Sequence, residues 1–471
     1  MLKTSSRAIL ALAVSLALEG CDMAPYYVRP ALPVPRELPE GPACEQADPA
    51  ATPAADIAWR DFFLDERLRK LIALSLENNR DLRVAVANIA QARAQYRVQH
   101  AGLFPTMNAG DDASFDRTPN ATGKGTPAVR ADIYSATASV SAWEIDLFGR
   151  LRNLSKEALE QYLASTENRN AAQVALVAEV ASSWVTLAAD QERLKLGQDT
   201  ARAFGETLAV TKGRAQTGVA SDLDVEQAQT SYDQARSDIA AVTTTVAQDQ
   251  NALNLLAGTT VPAELLPTGL GGKDATFANL PAGLSSQVLL RRPDIAAAEH
   301  QLRAANANIG AARAAFFPNV SLTAAAGTMS HGLSNLFGSG SGYWSVAPSA
   351  TVPIFDFGRN KGNLRYAEAT RDVMVATYEK TVQTSFREVA DALARRSTIG
   401  SQIDAQTSQR DASQAAYRLA QARYLEGIDT FLNTLTSERA SYTAEQSLLA
   451  ARLERQTNAI ELYRALGGGL K

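Results

Sequence analysis

Arg423-Tyr424-Leu425-Glu426-Gly427-Ile428-Asp429-Thr430-Phe431-Leu432 breaks two long helical runs. A basic residue closes the first run, Gly427 supplies a left-handed stop, and Thr430 stands where it can cap the helix that follows. The same pattern occurs 209 residues upstream as Arg214-Ala215-Gln216-Thr217-Gly218-Val219-Ala220-Ser221-Asp222-Leu223, with Ser221 as the capping residue. A helical hairpin present twice, turned at Gly218 and at Gly427, is therefore the skeleton of the chain.

Working outward from the turns, no proline interrupts the chain between Gly149-Arg150 and Pro262. The spacing predicts long helices over 150–217 and 221–256, the first on the order of 100 Å at 1.5 Å per residue. Such a helix exceeds a globular core. Its alanine-rich composition suits close contact with neighbours on two sides better than a single leucine seam. The second half repeats the order, with helices predicted over 359–423 and 430–466. Phe148-Gly149-Arg150 returns as Phe357-Gly358-Arg359, Glu179-Val180-Ala181 as Glu388-Val389-Ala390, and Gly258 as Gly467, all at an offset of 209. The helix from Asp81 to Ala101, ended at Phe104-Pro105, returns as the one opened by Pro293-Asp294 and ended at Phe317-Pro318, at an offset of 213. The slip falls where loops tolerate insertion. Two repeats follow, 57–283 and 284–471.

Between these helices, Ser135, Thr137, Ser139 and Ser141 alternate with Tyr134, Ala136, Ala138 and Val140, a period of two that marks strands. Strands are expected over about 106–117 and 132–147 in the first repeat, and over about 319–330 and 343–355 in the second. Polar-in, apolar-out hairpins suit an outer-membrane barrel. Four strands cannot close one, and an open edge in lipid would leave backbone groups unpaired at several kcal/mol each. The chain is thus expected to oligomerise, most simply as a homotrimer. The fold class is mainly α with a β-barrel part: a trimeric periplasmic α-barrel joined to a twelve-stranded outer-membrane β-barrel, four strands per chain.

Lys3 and Arg7 precede the apolar run Ala8–Leu18, which reads as a signal peptide over 1–20. It ends at Leu18-Glu19-Gly20-Cys21, a lipoprotein-type site at which Cys21 becomes the acylated first residue. Residues 21–56, with Pro30, Pro33, Pro35 and Pro39, read as an extended lipid-anchored arm. No later stretch approaches 18 consecutive apolar residues, so no transmembrane helix is expected. The net charge of −4 and 20% charged residues point away from nucleic acid. Cys21 and Cys44 make no disulfide framework, and His100, His300 and His331 share no metal-ligand spacing. No nucleophile–base or cofactor constellation is present, so no catalytic residue, metal or cofactor is assigned.

Leu289-Leu290-Arg291-Arg292-Pro293-Asp294-Ile295, with Ala298-Glu299, Ala305-Asn306-Ala307, Ile309-Gly310 and Phe317-Pro318, resembles a known family. Pro25-Tyr26, Arg29-Pro30, Trp59 with Phe62-Phe63, Asp356-Phe357-Gly358-Arg359 and Phe386 to Leu393 add to the match. The chain is similar to TolC-like outer-membrane factors, in the lipoprotein branch that serves resistance-nodulation-division efflux pumps. The resemblance implies a homotrimeric duct in outer-membrane lipid, loaded by a periplasmic adaptor (membrane-fusion) protein and an inner-membrane pump. By position it implies a periplasmic gate at Leu432 and Thr436, one helical turn apart, with Tyr424 and Arg439 holding the hairpin shut. Family members often carry an acid where Thr436 stands; Asp429 is the nearest substitute. Drug or solvent export is the first reading. Metal-ion efflux and type I protein secretion are alternatives, and a periplasmic helical structural or adaptor protein is the alternative of a different class.

Overall fold

In the computed structural model the described residues are 22–38, 56–118, 129–270, 277–278 and 286–470. The signal segment, Cys21 and Cys44 lie outside them. The order is α1 (Glu66–Asn78), α2 (Arg80–Ala101), β1 (Met107–Thr118), β2 (Val129–Ile145), α3 (Arg150–Gln216), α4 (Asp222–Ala257), α5 (Pro293–Ala314), β3 (Asn319–Ser330), β4 (Gly342–Thr351), α6 (Arg359–Leu425) and α7 (Phe431–Ala465). Helices α3 and α6, at equivalent places in the two repeats, are both 67 residues long.

The chain divides into two compact units. One combines the arm up to Pro30 with Asn88–Ser165 and Ala297–Tyr378 and holds the sheet, ordered β1-β2-β3-β4 and antiparallel throughout. The β1–β2 register keeps the two faces distinct. Asn108↔Ser139, Gly110↔Thr137 and Asp112↔Ser135 share one face, while Met107↔Val140, Ala109↔Ala138 and Ala113↔Tyr134 share the other. A bulge between Val140 and Trp143 places Ala142 at φ +50°. Beyond it, Trp143–Ile145 pair with Val320–Leu322 alone.

Strand β4 stops at Thr351, four residues short of the expected 355. The following Pro353 has no N–H to extend the ladder, and Val352–Phe355 have no strand beside them among the described residues. In the same unit the arm lies along α5. Arg29 and Arg303 both bond Glu299, the Asn306 side chain donates to the Pro25 carbonyl, and Asp22 accepts from Asn153. Gly310 is required there, since a Cβ would come within 2.7 Å of the Ala24 nitrogen.

The other unit comprises Ala31–Ala87, Thr166–Ala296 and Glu379–Lys471. An aromatic cluster anchors it: Phe62 stacks on Tyr463 at 4.0 Å and on Phe277 at 5.5 Å, and the Tyr463 hydroxyl donates to the Ile57 carbonyl at 2.7 Å. Arg292, before Pro293 at the start of α5, is buried in salt bridges to Asp294 and Glu388 and donates to the Ala465 carbonyl. Among the described residues one helix, α3, is long and apolar enough to cross a membrane by composition, which the run-length argument did not anticipate. Its apolar window is 61% buried against the protein, as in the core helix of a helical bundle.

Candidate gate at the repeat turns

Both turns use the same backbone device. Gly218 sits at φ +76° and Gly427 at φ +74°. At the first, the Gly218 N–H donates to the Ala215 carbonyl and the Val219 N–H to that of Arg214; at the second, Gly427 donates to Tyr424 and Ile428 to Arg423. These are the paired bonds of a Schellman stop, satisfying carbonyls that the ending helix would leave free.

The restarts differ. Ser221 caps α4 in a reciprocal capping box with Asp224. Thr430 makes no side-chain cap on α7, against the sequence expectation. Asp429, one residue earlier, accepts from the Thr430 N–H and the Asn433 side chain and pairs with Arg423 at 3.2 Å. Asn433, Arg423 and the backbone N–H hold its carboxyl below the usual carboxylate range. Its oxygens therefore close the turn while the carboxyl keeps its charge.

Tyr424 is buried in a cluster with Leu208, Ala228, Phe431 and Leu435. The Arg214 guanidinium lies 4.8 Å from its ring centroid and donates to the Leu425 carbonyl, tying the first turn to the second. The Tyr424 hydroxyl has no hydrogen-bond partner within the chain, so its contacts there are apolar and cation–π. Arg439 does make a polar contact, donating twice to the Ser231 hydroxyl of α4 at 2.9 and 3.2 Å.

Leu432 and Thr436 are not drawn into this cluster. Leu432 is 56% exposed, and the exposed Thr436 hydroxyl donates to the Leu432 carbonyl. Lying one turn apart, they present a common free face.

Sequence reasoning missed Glu438 and Tyr417. Glu438 is 5% exposed and accepts from the Tyr417 hydroxyl at 2.8 Å. Burial pushes its carboxyl up to about 7, although Tyr417, Thr207 and Arg439 pull the other way. The signal available was its spacing: Phe431, Leu435 and Glu438 fall on one helical face, so an acid occupies a core position. Among the described residues no three His, Cys, Asp or Glu side chains gather as a metal site.

The outer membrane efflux protein family pattern matches residues 71–259 and 284–468, one match in each repeat. The chain is 46% identical over 467 residues to the toluene efflux pump outer membrane protein TtgC of Pseudomonas putida, covering 98% of this chain and 96% of that protein. Among solved structures it is similar to a membrane protein from Pseudomonas aeruginosa, with 40% identity, a TM-score of 0.87, and coverage of 95% of this chain and 98% of that one. It is also similar to the open state of the Neisseria gonorrhoeae MtrE outer membrane channel, with 40% identity, a TM-score of 0.84, and coverage of 96% and 99%.

Proposed function

The chain belongs to the outer membrane efflux protein family, as an outer-membrane channel component of an efflux pump, and from that premise we propose that three copies join into one passive duct. It carries small toxic organic molecules from a periplasmic adaptor and an inner-membrane resistance-nodulation-division pump to the cell exterior. The observation that carries the trimer is an unmet copy of an internal junction. Within the chain, Ile145 pairs with Val320 and Trp143 with Leu322. The residues at the repeat offsets of 209 and 213 are Ile354 with Met107 and Val352 with Ala109, which do not pair within the chain. Ile354, Met107 and Val352 are all exposed. Joining β4 of one copy to β1 of the next supplies this second junction and removes both open edges. Two copies would give a barrel of about eight strands, whose interior side chains fill; three leave a lumen.

The gate reading assigns Leu432 and Thr436 to the constriction, supported by their shared free face, and Tyr424 and Arg439 to the restraints behind it. Val219 and Ile428, exposed at matching places in the two turns, suit an apolar adaptor tip. Hydrophobic solvents are the favoured cargo, supported by the toluene named for the similar Pseudomonas putida protein. Acylation at Cys21 would anchor the arm, supported by the Leu18-Glu19-Gly20-Cys21 sequence.

The test is to delete the protein and compare intracellular accumulation of solvents, dyes, antibiotics and metal ions, while weighing the detergent-purified protein. Increased retention of organic compounds and a three-copy mass are expected. A monomer, or retention of metal ions alone, would overturn the reading.

A further inference from the structure

Among the described residues two glutamates are buried in the protein, and they are treated differently. Glu299 is met by the guanidinium groups of Arg29 and Arg303, which hold its carboxyl low although burial works to raise it. Glu438 has no comparable cation. Its Oε1 accepts from the Tyr417 hydroxyl of α6, and its Oε2 is buried without a hydrogen-bond partner, with the Thr207 hydroxyl of α3 near enough to pull the carboxyl down. The adjacent Arg439 is turned to Ser231 on α4.

Glu438 also opens onto a cleft of about 370 Å³ between α3, α6 and α7, lined in part by Phe204, Gln414 and Tyr442. The other titratable groups around this cleft are Asp199 and Glu206 on α3, Tyr417 and Arg418 on α6, and Tyr442 and Glu445 on α7. Glu445 is occupied by the Gln414 side chain. Three of these neighbours are acids and Arg418 is the one cation on the cleft wall among the described residues. The setting therefore favours a neutral carboxyl: a proton on Oε2 turns an orphaned acceptor into a donor facing Thr207, whereas a bare carboxylate would be buried with a single phenol for support.

We propose that Glu438 is a proton-operated latch: protonated, it joins α7 to α3 and α6, and on losing its proton it loosens α7 and the second-repeat turn that α7 carries. Leu432 and Thr436 lie on the same helix within two turns of it, so the latch bears on the constriction; that link rests on the duct reading above. The burial of Glu438 and its rise to about 7 set the range in which the latch operates.

The experiment follows hydrogen–deuterium exchange in residues 410–445 of the full chain in detergent micelles, corrected for intrinsic rates, between about pH 6 and about pH 8.5. A proton affinity differing by one pKa unit between latched and loosened states changes their ratio by about tenfold, so a protection loss of that order is expected as the pH rises. Glu438→Gln keeps a neutral donor at all pH values and should flatten the response. Tyr417→Phe removes the phenol that supports the carboxylate, so its midpoint should move to higher pH. Equal pH dependence in wild type and Glu438→Gln overturns the latch; should that variant fail to fold, an unmoved midpoint in Tyr417→Phe does so. Conductance across planar bilayers separates the two readings. A protein that never conducts while protection still responds through Glu438 defeats the duct but not the latch. One that conducts alike at every pH, with Glu438→Gln unchanged, defeats the latch alone.

Discussion

The ring of Phe148 stacks on that of Phe317, with centroids 4.8 Å apart and planes at 21°. One ends the strand–helix link of the first repeat and the other precedes a strand of the second, so this contact is a junction between repeats. Their counterparts are Phe357 and Phe104, which are 91% and 61% exposed in the single chain. Phe357 also holds a left-handed φ of +56°, a costly conformation for a bulky residue, with its ring 4.5 Å from that of Phe355. In the proposed assembly Phe357 of one copy stacks on Phe104 of the next. The double variant Phe104→Cys/Phe357→Cys should form oxidised ladders of two and three copies on denaturing gels. With Cys44 replaced by Ser throughout, either single variant should form no ladder. Loss of ladders in the double variant, with the trimer mass intact, would refute this pairing.

Arg292 is a second place where a single side chain carries much of the packing. It is 6% exposed and bridges Asp294, Glu388 and the Ala465 carbonyl. Arg292→Ala leaves two carboxylates and a buried carbonyl without their shared donor, although Arg464 remains 3.5 Å from Glu388. A stability loss of about 3 kcal/mol is expected, read from the denaturant midpoint. A loss well under about 1 kcal/mol would show that Arg464 takes over the role.

Glycine substitution should change sign with position. Gly427, at φ +74°, has open space around it, so Gly427→Ala meets no clash and costs only the left-handed backbone, about 1–2 kcal/mol. Gly400 lies inside α6 with nothing within 4 Å, so Gly400→Ala should add about 0.5–1 kcal/mol. Thermal unfolding of the two variants in the same detergent tests the contrast. Two shifts of the same sign would contradict it.

The repeat skeleton could be read from residues because its parts are local. Left-handed backbone selects glycine at 218 and 427, prolines stop the helices at 105 and 318, and a fixed offset ties one half to the other. What could not be read depends on groups distant in sequence or on another copy. The end of β4 at Thr351 follows from having no neighbour beside Val352–Phe355. The burial of Glu438 depends on Tyr417, one helix away, and on α3, much further along the chain. Thr430 illustrates a different limit: it stands at the N-cap position of α7 without a side-chain cap, while Asp429 before it holds the turn through the Thr430 N–H and the Asn433 side chain.

That choice is itself testable. Ser221→Ala breaks the capping box on α4 and should cost about 1 kcal/mol. Thr430→Ala removes a hydroxyl that caps nothing and should leave the unfolding midpoint unchanged within about 0.5 kcal/mol. Asp429→Ala should loosen the second turn more than Thr430→Ala does, seen as faster exchange of the Thr430 and Phe431 amides. Equal effects of the two variants would show that Asp429 does not hold the turn.

Asp249 on α4 faces Asp190 on α3, and burial together with that neighbouring carboxyl pushes Asp249 up to about 6. A carboxyl raised in the folded state is favoured while it keeps its proton. Its contribution is therefore full below the unfolded value near 4 and is lost as pH rises through about 6, when folding must hold two carboxylates together. The shift alone would correspond to about 3 kcal/mol, and partial solvent access reduces this to about 1 kcal/mol. Asp249→Asn supplies an amide donor toward Asp190 without the second charge. It should unfold at higher denaturant than wild type at about pH 8 and match it at about pH 4. A variant that gained equally at both pH values would place the effect in packing rather than in the shared proton.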